Sequence, residues 1–132
     1  MQRVRMIMST FILMTLVLIG CTKGYETQKT SGDVTVSLSA PSYPLIKGDN
    51  ALSIKISDAA GKAVTDAKVD VRYYMPAMPG MAPMEYTTQA TLRGNAYTFN
   101  ANIPMEGGWK TDVTVNRADK TAQMVTFNVD AR

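Results

Sequence analysis

The run Met75-Pro-Ala-Met-Pro-Gly-Met-Ala-Pro-Met84 sets four methionines at strict three-residue spacing within ten residues, in a chain that has no histidine and a single cysteine. A thioether is a soft, neutral donor that selects Cu(I) over hard cations, and clustered methionines also make adaptable apolar surfaces. Three uses compete for this loop: capture of a soft ion such as Cu(I) or Ag(I), an apolar patch that docks a partner, and a cap folded over the end of the fold. Pro79-Gly80 is the signature of a type II turn, which brings its first and fourth Cα atoms within ~7 Å, so Met78 and Met81 can share one ion. A polyproline-like run would instead hold successive methionines about 9 Å apart. Met105, in Pro104-Met-Glu-Gly-Gly-Trp109, adds a thioether beside a tryptophan. The Trp109 face could supply cation–π attraction to a bound ion, or fill the core as an ordinary buried indole.

These residues must be positioned by strands. Apolar and polar residues alternate at Val34-Val36-Leu38, Leu52-Ile54-Ile56, Val69-Val71-Tyr73, Tyr86-Thr88-Ala90-Leu92, Tyr97-Phe99-Ala101-Ile103, Trp109-Thr111-Val113-Val115 and Val125-Phe127-Val129. Period two with one apolar face is the half-buried strand pattern. Turn residues separate the runs, among them Asp58-Ala-Ala-Gly61, Arg93-Gly-Asn95 and Glu106-Gly-Gly108. Seven short strands and no helical period predict an all-β chain, a seven-stranded immunoglobulin-like β-sandwich. Strand parity carried through the loop turns Met75 and Met84 inward, and it turns Met124 outward. If successive strands alternate direction, the loops at 75–84 and 104–108 emerge at one end of the sandwich.

The first twenty residues read as an export signal. Arg3 and Arg5 form a positive n-region, and the apolar stretch 11–19 is too short to span a bilayer, which takes ~20 residues. Leu18-Ile-Gly-Cys21 resembles the lipobox of bacterial lipoproteins, in which the cysteine is acylated and begins the mature chain. Residues 1–20 are then a lipoprotein signal peptide, and 21–32 a lipidated cysteine with a polar tether whose reach as a coil is roughly 15–20 Å. Residues 33–132 form the domain. Of 14 Lys+Arg, the signal removes two, leaving 12 against 11 acids. The mature chain is near neutral, and no basic stripe points to nucleic acid. With Cys21 spent on the anchor, no disulfide and no thiolate remain. Thr22 stands where an aspartate would, by the sorting rules of such lipoproteins, favour the inner membrane, so the expected location is the outer membrane, facing the periplasm.

Three runs resemble one family of bacterial envelope proteins, the YtkA-like or FixH-like domains. They are "G-x-N-x-L-x-I-x-I" from Gly48 to Ile56, "D-A-x-V-x-V-x-Y-x-M-P-x-M-x-x-M" from Asp66 to Met81, and "P-M-x-G-x-W" from Pro104 to Trp109. The resemblance implies a small immunoglobulin-like sandwich in anchored proteins, linked to copper handling, cytochrome oxidase assembly and heavy-metal efflux adaptors. It places Met75, Met78, Met81, Met105 and Trp109 at the family's motif positions. Relatives often carry a histidine near the methionines, and this chain has none, which leaves only thioether-preferring ions.

Catalysis finds no support, because there is no histidine, no free cysteine and no serine with a plausible base. The expectation is a non-enzymatic envelope lipoprotein. Its candidate metal ligands are Met75, Met78, Met81, Met84 and Met105, its lipidation site is Cys21, and Trp109 is a possible cation–π face. The alternative is an interaction module that docks a membrane complex through the methionine tip without metal.

Overall fold

The computed structural model describes residues 24–132; the signal segment and Cys21 lie outside them. Eight strands follow in order: β1 (Tyr25–Ser31), β2 (Val34–Ala40), β3 (Gly48–Asp58), β4 (Lys68–Met75), β5 (Met84–Arg93), β6 (Ala96–Ile103), β7 (Gly107–Asn116) and β8 (Gln123–Ala131). All ladders are antiparallel, in the spatial order β1-β2-β3-β6-β5-β4-β7-β8. The all-β expectation holds, and the seven alternating runs are the strands β2 to β8.

Two features differ from a simple seven-stranded sandwich. The first is β1, which occupies most of the stretch expected to be a coiled tether. Its register runs from Tyr25 opposite Ala40 to Ser31 opposite Val34. The strand is mostly exposed and polar on both faces, so it carries no apolar period; backbone pairing with β2 holds it instead. On its far side, Lys29 donates to the Thr126 carbonyl and Ser31 Oγ to Gln123 Oε1, nearly closing the sheet against β8. The second is β5, which passes from one sheet to the other. Residues 84–90 pair with β4 and 91–93 with β6, joining the two layers into one continuous order.

The core is the apolar parity set of β2, β3, β4, β6, β7 and β8, with Trp109, Tyr97, Phe127, Leu38 and Ile54 almost fully enclosed. Each fully buried Val, Leu, Ile or Phe contributes on the order of 1.5–3 kcal/mol against solvent exposure. Buried polar groups are satisfied: among the described residues no buried side-chain nitrogen or oxygen lacks a partner. Tyr97 Oη accepts from Ala67 N and donates to the Val64 carbonyl, pinning the β3–β4 connection. Asn50, in the Gly48–Ile56 run, does the same for the β2–β3 connection. Its Oδ1 accepts from Ile46 N at 2.9 Å, and its Nδ2 donates to the carbonyls of Ile46, Gly48 and Ala101.

The ladders decide which connections share an end. β2, β4, β6 and β8 finish at the end where β1, β3, β5 and β7 begin. The connections 41–47, 76–83 and 104–106 therefore cluster there, together with Gly24 and Arg132.

Candidate methionine site

Each candidate thioether has a definite place at that end. Met75 and Met84 face each other as the last rung of the β4–β5 hairpin. Met75 is 5% exposed and belongs to the core, while Met84 is half-buried against it. Between them residues 76–83 project, all eight exposed and none charged. The tip is a closed turn in which Met81 N donates to the Met78 carbonyl at 3.1 Å. Gly80 takes φ +80° at its third position, the type II geometry that a side chain with Cβ disfavours. The turn presents both thioethers to solvent, with Met78 46% and Met81 38% exposed.

Met105 arrives from the β6–β7 crossing. It is half-buried and packs on the same core. Trp109 fixes it by donating its indole N–H to the Met105 carbonyl at 3.1 Å. The two connections meet at Gly107, where a Cβ would stand 3.0 Å from Met75 Cε. Gly107 also has φ +134°, a region that favours glycine. Gly107→Ala should therefore lower stability by about 1–3 kcal/mol through backbone strain, with the Met75 methyl displaced. Urea denaturation checks this, and an unchanged midpoint would show that the crossing is not held this tightly.

Beneath the methionines lies a layer of aromatics. Tyr73 and Tyr86 stack with centroids 5.3 Å apart, and Trp109 sits 6.4 Å from Tyr73 and 6.3 Å from Tyr86. Trp109 is 1% exposed and fills the core as an ordinary buried indole; its bonded edge orients Met105. Tyr86 is the aromatic that strand parity misplaced. Its parity points it inward, yet it is 39% exposed, as Leu92 is at 40%, because β5 leaves one sheet for the other and its inner face is only partly covered. Tyr86 is thus the accessible ring two residues from Met84.

The Arg72 and Glu85 charges beside the hairpin are paired. Arg72 grips Glu85 with two bonds of 2.7 and 3.0 Å, reaches Asp112 Oδ2 at 3.0 Å, and lies over the Tyr74 ring. The Arg72 guanidinium holds the Glu85 carboxyl below its ordinary range, so Glu85 is a paired anion rather than an acid or base beside the loop. Among the described residues no cluster of three His, Cys, Asp or Glu side chains could hold a metal ion. Apart from the Glu106 carboxylate, the side-chain donors of the loops 76–83 and 104–106 are thioethers. Such a set fits a soft monovalent ion and does not fit Zn²⁺ or Cu(II), which take imidazole, thiolate or carboxylate.

The YtkA-like family profile matches residues 28–114, which span Asn50, the whole methionine loop, Met105 and Trp109. The chain belongs to that family. No curated protein sequence matches it. Two solved structures share the architecture of this YtkA-like domain. One is FetP of uropathogenic E. coli strain F11, at 12% identity and TM-score 0.55, covering 82% of this chain and 95% of FetP. The other is the soluble domain of PmoD from Methylocystis sp. ATCC 49242 (Rockwell), at 12% identity and TM-score 0.51, covering 80% and 96%. At such identity the likeness concerns the fold alone.

Proposed function

We propose that this YtkA-like protein is an envelope lipoprotein that binds Cu(I) or Ag(I) through Met78 and Met81, assisted by Met84 and Met105, in copper handling or heavy-metal efflux. The observation that carries the proposal is the charge-free loop 76–83, whose type II turn has exposed methionines at both its first and fourth positions. Apolar side chains are ordinarily driven inward. Here strand parity buries Met75, while the turn spends backbone order on keeping Met78 and Met81 in water. Met75 contributes packing under the site. Tyr86, rather than the enclosed Trp109, offers the ring face that an ion could approach.

Titration with Ag(I), and Cu(I) competition against a chromogenic chelator, test the ligand class. The expected outcome is binding of both soft ions and no binding of Zn²⁺. The anchoring half is separate: Cys21→Ala should leave the precursor unprocessed at that position or release the protein from the membrane fraction. A membrane-bound variant of unchanged mature mass would remove the lipoprotein reading. The second reading, a metal-free docking tip for an efflux adaptor or an oxidase assembly component, draws on the same exposure of Met78 and Met81. It parts from the first on whether sulfur itself is needed.

A further inference from the structure

The place where the chain enters the fold bears on how the methionine loop meets its surroundings. Gly24 sits beside the Ala40 carbonyl, at the end from which the loops 41–47, 76–83 and 104–106 project. Because β1 begins at Tyr25, only Thr22, Lys23 and Gly24 separate it from Cys21. Four residue steps reach at most about 14 Å when fully extended. Strands of 7–11 residues make the domain roughly 25–35 Å tall. An acyl group on Cys21 therefore brings the methionine end close to the lipid and leaves the opposite end a domain's height away.

The two ends also differ in chemistry. On the methionine side, Tyr43, Ile46, Met78 and Met81 are all exposed, with Ile46 at 53%. Prolines 41, 44, 76, 79, 83 and 104 fill out these connections, and their charges are Lys47 and Glu106. Tyr43 is held in place by stacking on Tyr25 with centroids 3.9 Å apart and by its bond to Asp130, so the apolar rim is tied to β1 itself. At the opposite end the connections carry Asp33, Lys62, Asp66, Arg117, Asp119 and Lys120. Arg117 and Lys120 pair with Asp33 there. One end suits an interface with hydrocarbon and headgroups, and the other suits water.

We infer that the methionine-loop end of the domain rests on the bilayer surface, with Ile46, Met78 and Met81 at the lipid boundary. This rests on the lipoprotein reading of Cys21 but not on metal binding. An ion held by the loop would be exchanged at the membrane face and not at the distal, charged end.

The acylated full chain provides the test, since Cys21, once thioether-linked, leaves an introduced cysteine as the sole thiol. Variants Ile46→Cys, Met78→Cys and, at the far end, Ala118→Cys are labelled with a fluorophore and reconstituted in phosphatidylethanolamine–phosphatidylglycerol vesicles containing headgroup-nitroxide lipid. Loss of most fluorescence at positions 46 and 78, with little loss at 118, is expected. Equal quenching at all three, or stronger quenching at 118, overturns the inference. So does a tip label shielded from both lipid and aqueous quenchers in a particle of dimer mass, which would assign this end to a second copy of the chain. Two independent tip positions guard against one variant misfolding. Intact mass separates the premises: protein lacking acyl groups on Cys21 defeats the lipoprotein reading and this inference together, whereas acylated protein with unquenched tip labels defeats this inference alone.

Discussion

Replacing Met78 and Met81 together by leucine is expected to lower Cu(I) and Ag(I) affinity by at least ~100-fold, about 2.8 kcal/mol of binding, while the fold survives. Leucine keeps nearly the same apolar volume, and such swaps usually cost under ~1.5 kcal/mol even in a core. Both side chains are exposed here, and the turn is closed by backbone atoms and Gly80, so the stability change should fall near the low end. The design removes two sulfurs and little else. Met105→Leu added to the pair should weaken binding further, because the β6–β7 crossing meets the hairpin at Gly107. A docking tip would behave in the opposite way, with leucine serving nearly as well as methionine and partner binding persisting. Unchanged Cu(I) affinity in the triple variant would remove the metal reading and leave the interaction module.

The second large effect is on stability. Trp109→Ala should cost about 3–5 kcal/mol, the range for emptying a large aromatic site in a packed core. A domain of this size has ~5–15 kcal/mol in total, so the variant should lose a large share of its stability and unfold well over ~10 °C lower. Trp109→Phe keeps most of the packing but removes the N–H that fastens the Met105 carbonyl. Its expected signature is a moderate loss of stability with a weaker contribution of Met105 to ion binding. Met124→Ala, at a residue 57% exposed, should stay within about ±0.5 kcal/mol. Thermal and urea unfolding check the set. A loss below ~1 kcal/mol for Trp109→Ala would contradict the packing described at this end.

Period-two alternation made most of this architecture readable before any coordinates. It works where one face of a strand is buried and the other wet, which is the situation of β2, β3, β4 and β6 to β8. It is silent for β1, whose Glu26, Gln28 and Lys29 mark neither face as apolar; long-range pairing makes that segment a strand and shortens the tether. It misleads for β5, because a strand that changes sheets at residue 90 does not keep one face over one core, and Tyr86 and Leu92 are left exposed. The turn chemistry of the methionine loop was local and therefore legible: Pro79-Gly80 alone specifies the bend seen at Met78–Met81. Antiparallel counting gave the shared end of the two connections. The stack of Tyr73 on Tyr86 depends on which strands become neighbours and in what register, and no spacing along the chain encodes that, whereas the fastening of Met105 by Trp109 is local, four residues apart.

The most direct measurement follows the ε-methyl groups of the six methionines of residues 33–132 by carbon-13 NMR during Ag(I) titration of the intact domain. A metal site built as described should shift Met78 and Met81 most, Met84 and Met105 measurably, and Met124 not at all, saturating at one ion per chain. Six unmoved signals, or a Met124 shift as large as those of Met78 and Met81, would contradict a thioether site at the loop.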